Sequence, residues 1–225
     1  MEGIVKIDII SDVMCPWCIV GYKRLETAID ELGLQEKVQI EWHPFELNPN
    51  ETKEGEDSRK HMEQKYAMTP KESKDFQTQI TSLAQEVGFT FDFDKCTRIV
   101  NSRDCHILLQ FAREYNRQTE LKIRLFTAHF TEGKNVANRE QLLKEVEAVG
   151  LDVEEAYARL NDNSAVEQLR EEERHWQQTG GITAVPTMIF NGFTRLIGAQ
   201  PVDDYKKLLK KLTAQKQTPE NLPER

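Results

Sequence analysis

Residues 11–18, SDVMCPWC, stand at the junction between a predicted strand and a predicted helix. Before them, the segment from Ile4 to Ile10 alternates at period two and is rich in β-branched residues, which predicts a buried strand. After them, apolar residues recur at three- and four-residue spacing as far as Leu32, and Gly33 follows. This pattern predicts a helix that ends at a glycine.

A second strand is predicted soon after this helix. Val38, Ile40 and Trp42 alternate with polar residues until Pro44 ends the run. A strand, a helix and a second strand in this order form a βαβ unit, whose crossover is right-handed and whose strands are parallel.

The middle of the chain, from about Asp57 to Trp176, has a helical period through several consecutive segments. One of its predicted helices begins at Asn138, an N-cap with Gln141 three residues later, and runs to Gly150. No strand pattern of comparable quality interrupts this region, so we predict that it is entirely helical.

Strands return near the C-terminus. Residues 184–190 predict a strand entered through Pro186, Asn191-Gly192 predicts a tight hairpin turn, and residues 193–197 predict the return strand. Pro201 opens a final helix, and the tail beyond Gln215 is expected to fray. We therefore predict a small four-stranded α/β domain, residues 1–56 and 177–225, interrupted by a helical domain, residues 57–176.

Composition narrows the functional classes. The chain has 225 residues, of which 38% are hydrophobic, and a formal net charge of −8. This length supports a hydrophobic core without disulfides. No segment approaches the roughly 20 apolar residues of a membrane-spanning helix. No basic block suits the phosphates of a nucleic acid. We predict neither a membrane nor a nucleic-acid partner.

The start of the chain, MEGIVKID at residues 1–8, lacks the basic, apolar and small-residue segments of a secretory signal, so we expect a cytoplasmic protein. The four cysteines stand at positions 15, 18, 96 and 105. In a reducing compartment they favour catalysis or metal binding over structural disulfides.

Cys15-Pro16-Trp17-Cys18 is the strongest chemical motif. At the first turn of a helix the backbone N–H groups are unpaired, so a thiolate on Cys15 is stabilised and its pKa should fall. Cys18 lies over the same helix face and can reach Cys15 to close a short disulfide. Pro16 fits the first helical turn, and Trp17 offers an apolar surface beside the reactive sulfur.

A zinc site is the alternative for a Cys-x-x-Cys pair, but zinc needs four ligands. The other candidate ligands are scattered along the chain: Cys96, Cys105, His43, His106 and His129. Because the cysteine pair belongs to a βαβ unit, a redox dithiol is the favoured interpretation, and we predict no metal.

The segment Val185-Pro186-Thr187 opens the third predicted strand. A cis Val185-Pro186 bond would leave a backbone edge free near the cysteines, where an extended peptide could pair. A trans proline at the start of an edge strand is the alternative. The residues themselves favour neither.

Four motifs taken in order resemble the DsbA-like branch of the thioredoxin superfamily, and more narrowly the FrnE-type subgroup of DsbA-family oxidoreductases. They are SDVMCPWC at 11–18, HPFELNP at 43–49, VPT at 185–187 and GAQP at 198–201. The resemblance covers nearly the whole chain. It implies an α/β thioredoxin-like fold with an inserted all-helical domain, and a protein disulfide oxidoreductase.

The same resemblance implies roles for individual residues. Cys15 would attack and Cys18 would resolve, Pro186 would be cis, and Pro16, Trp17 and Pro186 would tune the pair. Trp17, Val185 and Pro186 would line the substrate groove. Substrates would be proteins or small thiols that carry a disulfide or a thiol, served by a redox partner that the sequence does not identify. Glutathione is the candidate for that role, and no other cofactor is implied.

One position departs from the pattern of thioredoxin-like relatives. Many of them carry a buried acid six residues before the first cysteine, where this chain has Ile9. Asp8 is predicted on the opposite strand face, and Asp12 is expected to cap the loop. His43 or Glu46 would substitute if the second strand brings them near, and a role in a solvated loop is the alternative for both. Without an acid, burial should raise the pKa of Cys18.

The remaining cysteines and histidines are given structural roles. Cys96 and Cys105 are predicted on opposite faces of one helix as buried small hydrophobes, and a second redox pair would need a helix break between them. His61 and His175 stand in highly charged surroundings and are predicted at the surface.

Two other functions are consistent with parts of the pattern. Kappa-class glutathione transferases and 2-hydroxychromene-2-carboxylate isomerases resemble this architecture, but they generally have serine at the position of the first cysteine. A non-catalytic adaptor or holdase would use the groove beside Trp17 without redox turnover.

Overall fold

The computed structural model describes residues 4–214. Residues 1–3 and 215–225 lie outside the described residues, and with them the tail that was predicted to fray. The strands of the described chain are β1 (Val5–Ser11), β2 (Val38–Pro44), β3 (Glu56–Asp57), β4 (Arg98–Ile99), β5 (Thr187–Phe190) and β6 (Thr194–Ile197).

Nine α-helices are formed by residues 4–214. They are α1 (Pro16–Leu32), α2 (Ser58–Tyr66), α3 (Pro70–Gln85), α4 (Arg103–Glu114), α5 (Gln118–Phe126), α6 (Arg139–Ala148), α7 (Val153–Leu160), α8 (Asn163–Arg174) and α9 (Val202–Ala214). Two π-helical turns, Thr127–Thr131 and His175–Thr179, extend α5 and α8.

The central sheet has the order β2-β1-β5-β6. β1 is parallel to β2 and antiparallel to β5, so Ile9 lies opposite Trp42 on one side and Met188 on the other. β5 and β6 form a hairpin whose turn residues, Asn191 and Gly192, both have positive φ. The predicted βαβ unit, the hairpin and the four-stranded sheet are confirmed.

The helical region between β2 and β5 is interrupted by strand residues. β3 and β4 pair antiparallel over two residues each, which the helical periodicity did not predict. The predicted start of α6 is confirmed, because the Asn138 side chain accepts a hydrogen bond from the backbone N–H of Gln141.

One core joins the sheet to both regions of the chain. Ile7 and Ile9 of β1 pack with Tyr205 of α9, and with Phe126 and Phe130 from the helical region. A second core lies among α4 to α8. The predicted helical domain therefore shares a core with the sheet and does not pack only on itself.

No helix within residues 4–214 combines the length and the apolar character that crossing a membrane requires.

Candidate active site

The cysteine pair lies at the N-terminus of α1. Cys15 is the N-cap residue, Pro16 is the first helical residue, and Cys18 follows in the first turn. No side chain caps this helix, and the backbone N–H of Cys18, which donates to the carbonyl oxygen of Cys15 at 3.1 Å, also acts on the Cys15 sulfur. Cys15 is 5% exposed and Cys18 is fully buried, and both are free thiols.

The loop before β5 lies against this helix end. The Val185–Pro186 peptide bond is cis, and the Cys15 Sγ lies 3.7 Å from the carbonyl oxygen of Val185. Gly21 of α1 allows the close approach, since a Cβ there would lie 3.3 Å from the Cγ of Pro186. The structure therefore brings Cys15 and Val185 together, although they are far apart in sequence.

A buried lysine lies on the inner side of the pair. Lys122 of α5 is fully buried, and its Nζ donates a hydrogen bond of 3.4 Å to the carbonyl oxygen of Ser11. The same Nζ lies 5.3 Å from the ring centroid of Trp42 and 5.1 Å from that of Phe126. Burial lowers the pKa of Lys122, and the charges of Cys18 and its neighbours oppose this effect.

The pKa values of the pair differ from both sequence predictions. Burial raises the pKa of Cys18, but the Cys15 thiol, the Ser11 hydroxyl and the Lys122 charge bring it below its ordinary value. The pKa of Cys15 lies well above its ordinary value, because its thiol donates to the Cys18 sulfur and because it is buried. The two thiols thus titrate as one pair, in which the hydrogen bond between them stabilises a single negative charge.

The two shifts differ from the expectations for different reasons. The helix N-terminus was expected to lower the pKa of Cys15, but its hydrogen bond to Cys18 and its burial raise it. Burial without an acid was expected to raise the pKa of Cys18, but Lys122, which the sequence patterns did not place there, is among the groups that lower it.

Asp12 connects the motifs on either side of the pair. Its carboxylate accepts hydrogen bonds from the backbone N–H groups of Met14 and Leu47, at 3.3 and 2.7 Å, and lies 3.3 Å from the Nε2 of His106. Although burial opposes ionisation, these contacts lower the pKa of Asp12. Asp12 therefore caps the loop, as predicted, and also joins it to α4.

A mostly apolar cavity of about 320 Å³ opens beside Cys15. Cys15, Pro16, Trp17 and Val185 belong to its wall, whereas Cys18 does not. The rest of the wall comes mainly from the helical region, including Phe76, whose ring centroid is 6.2 Å from that of Trp17. The residues that line it are Met14, Cys15, Pro16, Trp17, Leu47, Asn48, Ser58, His61, Met62, Tyr66, Met68, Ser73, Phe76, Gln77, Phe93, Cys96, Ile99, Phe130 and Val185.

The two candidate substitutes for a buried acid have other partners. His43 lies between two carboxylates, with its Nε2 2.9 Å from Asp8 and its Nδ1 2.6 Å from Glu172. Glu46 forms ion pairs with Arg103 and Arg170. These contacts join β2 and the segment after it to α4 and α8, so both residues connect the sheet to the helical region.

The sequence predictions of an exposed His61 and of one helix shared by Cys96 and Cys105 were wrong. His61 is buried and its Nδ1 is hydrogen-bonded to Glu56, whereas His175 is exposed as predicted. Cys96 lies in a loop and Cys105 in α4, so they do not share a helix. Both are buried free thiols, which agrees with their predicted structural role.

Two clusters of described residues have the spacing of metal ligands, with ligand atoms within 4.8 Å of one another. They are Asp8, Glu41 and His43, and Glu51, Glu56 and His61. Neither cluster includes Cys15 or Cys18. Lys6 already pairs with both carboxylates of the first cluster, at 3.2 and 3.3 Å.

Lys122 is a residue of this site that the sequence patterns did not identify. A signal was present, because Lys122, Leu125, Phe126 and His129 have the three- and four-residue spacing of one helix face. All four are buried. A lysine on an apolar helix face was therefore visible in the sequence, but not what it would contact.

Comparison with known proteins agrees with this geometry. The chain matches the DSBA-like thioredoxin domain family over residues 6–210. The uncharacterized protein YwbO of Bacillus subtilis (strain 168) is 30% identical over 205 residues, which cover 91% of this chain and 96% of that protein.

Solved structures show the same fold. The probable DsbA oxidoreductase SCO1869 from Streptomyces coelicolor has a TM-score of 0.85 at 27% identity, covering 98% of this chain and 93% of that one. The cytosolic disulfide reductase DsbM from Pseudomonas aeruginosa, solved with GSH, has a TM-score of 0.64 at 19% identity, covering 92% and 98%. Together with the cysteine pair at the start of α1, these matches show that the chain belongs to the DSBA-like thioredoxin domain family, a family of thioredoxin-fold oxidoreductases.

Proposed function

We propose that this protein is a thiol–disulfide oxidoreductase whose redox centre is the Cys15–Cys18 pair. The main support for this proposal is the unequal access of the two sulfurs to the cavity. Cys15 forms part of the wall of the cavity, whereas Cys18 is fully buried behind it. A substrate sulfur can therefore meet Cys15 first, and Cys18 is placed to act on the product of that encounter.

The proposed cycle follows from this order. In the reducing direction, the Cys15 thiolate attacks one sulfur of a substrate disulfide, which releases the other as a thiolate and leaves a mixed disulfide. The Cys18 thiolate then attacks the Cys15 sulfur, closing the Cys15–Cys18 disulfide and releasing the second substrate thiolate. The charge shared by the pair moves to Cys15 when a substrate displaces the Cys15–Cys18 hydrogen bond. The reverse sequence donates a disulfide.

The cavity supports a protein substrate with apolar residues beside its cysteine. None of the residues that line it carries a carboxylate, an ammonium or a guanidinium group. Glutathione has charged groups at both ends, and this wall offers them no opposite charge. We therefore keep glutathione in the proposal as a redox partner, which needs only to present its sulfur to Cys15.

Two finer assignments belong to the same proposal. The motifs that resemble the FrnE-type subgroup support a place in that subgroup. The description of the P. aeruginosa neighbour as a cytosolic disulfide reductase supports activity in the cytoplasm, which cell fractionation would test.

The test uses single-cysteine variants with reduction of a protein disulfide as the assay. We expect Cys15→Ser to abolish turnover, and Cys18→Ser to accumulate a mixed disulfide between Cys15 and the substrate. Cys96→Ser is the matched control, since Cys96 lines the same cavity, and it should retain wild-type turnover. Full activity in Cys15→Ser would overturn the proposal.

The same variants also test a binding-only role. Two results together would establish an adaptor instead. Wild type would show no redox turnover, and a Cys15→Ser, Cys18→Ser double variant would bind an unfolded protein as well as wild type does.

A further inference from the structure

Lys122 is a buried cation without a carboxylate partner. It is fully buried, and within residues 4–214 its Nζ has one polar contact, the carbonyl oxygen of Ser11 at 3.4 Å. The faces of Trp42 and Phe126 provide weaker stabilisation of the charge. Removing an ammonium group from water is costly unless an opposite charge accompanies it. Among the described residues no carboxylate is in direct contact with this buried charge, and the permanent negative charge that acts on it is that of Asp12.

The charged and titratable groups around Lys122 come from several elements. They are Cys18 and Cys15 of α1 and its N-cap, Asp12 of the preceding loop, and Cys105 of α4. The Asp12 carboxylate is already held by two backbone N–H groups and by His106. Cys105 directs its thiol to the carbonyl oxygen of Val136, 3.4 Å away. Asp12 keeps its negative charge and offsets part of that of Lys122, and the active-site pair is the other group that can place a negative charge beside the ammonium.

Ser11 connects the lysine to the pair. Its carbonyl oxygen accepts the hydrogen bond from Lys122. Its buried hydroxyl lowers the pKa of Cys18 by donating to that sulfur, and among the described residues it has no other partner. The end of β1 thus presents a donor to Cys18 and fixes the position of the cation.

We propose that Lys122 is a positioning residue whose buried ammonium group is the counter-ion of the Cys18 thiolate and makes the dithiol the favoured redox state of the pair. The proposal rests on the thiol–disulfide exchange proposed above and adds a direction to it. When the pair is a disulfide, neither sulfur carries a charge, and Asp12 alone offsets that of Lys122. When the pair is reduced, the thiolate compensates it.

This arrangement favours donation of the disulfide to a substrate. A substrate thiolate attacks the Cys15 sulfur, a bond forms between them, and the Cys15–Cys18 bond breaks with its electron pair on Cys18. The leaving group is the thiolate beside Lys122, and a thiol of lower pKa leaves faster. A second substrate thiolate then attacks the substrate sulfur of the mixed disulfide. The substrate disulfide and the Cys15 thiolate are the products, so the substrate is oxidised by two electrons and the pair is reduced by two.

The test is the redox equilibrium of Lys122→Met with glutathione, read by alkylation and mass spectrometry. Methionine has similar length without the charge. We expect the equilibrium constant for forming the Cys15–Cys18 disulfide to rise at least tenfold, which is a fall of about 30 mV in reduction potential. The ultraviolet absorbance of the thiolate should titrate at higher pH. Lys122→Arg should stay closer to wild type.

Lys144→Met is the matched control, because Lys144 is an exposed lysine of α6 that pairs with Glu140. It should leave the equilibrium unchanged. A folded Lys122→Met variant with wild-type redox equilibrium and thiolate titration would overturn the inference.

If Lys122→Met does not fold, the stability of the wild-type protein in its two redox states provides the test. We expect the reduced protein to resist denaturant better than the oxidised protein at neutral pH, and equal or reversed stability would overturn the inference. A wild type without a reversible redox transition would instead overturn the proposed function, so the two failures are distinguishable.

Discussion

The two pairs of cysteines in this protein are both buried, and they differ in the charges around their sulfurs. Cys15, Cys18, Cys96 and Cys105 are all buried free thiols. Cys15 and Cys18 lie at an uncapped helix N-terminus with a lysine behind them and a cavity in front. One negative charge on this pair is therefore stabilised on two sides.

The surroundings of Cys96 and Cys105 carry more negative charge. Cys105 lies in the first turn of α4 and near Lys122, but the carboxylates of Asp12 and Asp104 outweigh the charge of that lysine. Burial raises the pKa of Cys96 to about 12, and the nearby charge of Asp92 adds to the effect. Its neighbour His129, 3.5 Å away, gives no positive charge at neutral pH, because burial lowers the pKa of His129 to about 4. Burial also raises the pKa of Cys105. The comparison teaches that nearby charge, and not burial, distinguishes a redox cysteine from a structural one.

The largest expected effect is a difference in alkylation rate. Cys96 lines the same cavity as Cys15, so access alone does not separate them. A pKa of about 12 in place of the ordinary 9.0 lowers the thiolate fraction roughly 1000-fold at neutral pH. We expect iodoacetamide to modify Cys96 roughly 1000-fold more slowly than a cysteine thiol of ordinary pKa, and more slowly than the active-site pair, measured by mass spectrometry of quenched samples. Comparable alkylation rates for Cys96 and the active-site pair would contradict this distinction between the two pairs.

The next effect concerns a charge network that does not touch the cysteines. His43→Leu leaves the buried carboxylates of Asp8 and Glu172 without their shared partner. We expect the free energy of unfolding in urea to fall by about 3 kcal/mol. The redox equilibrium with glutathione should not change, unlike that of Lys122→Met. An altered equilibrium would show that the His43 network also controls the pair.

A smaller effect is expected from Cys105→Ala. Cys105 is fully buried in the core among α4 to α8, and loss of its sulfur leaves a small cavity. The free energy of unfolding should fall by roughly 1–2 kcal/mol with unchanged redox turnover. Loss of turnover in a variant that remains folded would place Cys105 in the reaction and erase the distinction between the pairs.

The smallest expected effect is the pH dependence of stability. Burial opposes the charged form of His43, but hydrogen bonds to Asp8 and Glu172 raise its pKa above the usual value. The stabilisation is therefore complete below the unfolded pKa of about 6.5 and is lost as pH rises through the higher native pKa.

The carboxylates of this network affect the stability of the protein at acidic pH. The pKa values of Asp8 and Glu172 are lowered by His43 despite burial, so their contribution is lost as pH falls below about 4. Urea unfolding of wild type should show stability falling above about pH 6.5, by less than His43→Leu itself costs. A His43→Gln variant should lack this alkaline fall, and one that keeps it would assign the titration to another group.

The sequence predicted most of the fold because its strongest signals are local. Alternation in β1, the glycine after α1, the Asn138 cap and the Asn191-Gly192 turn each depend on neighbouring residues, and all four are confirmed. β3 and β4 were missed because two-residue strands carry no period.

Burial of individual polar residues was harder to predict. His61 and His175 both stand among charged residues in the sequence, yet His61 is buried against Glu56 and His175 is exposed. The distinction depends on which helix face packs against the pair of short strands, and neighbouring charges do not report it. The cavity wall was predicted only in part for a similar reason. Trp17 and Val185 were predicted, whereas Phe76, His61 and Cys96 are brought to the wall by the packing of the helical region.

The amino-acid sequence by itself determined the redox motif, its place at the start of a helix, and the order of strands and helices around it. These properties follow from residue spacing and from the conformations that proline and glycine favour. Only the tertiary structure placed Lys122 behind Cys18, His43 between Asp8 and Glu172, and a mostly apolar wall before Cys15. The physical reason is that a pKa depends on burial and on distances to charges, and packing brings those charges from remote parts of the chain.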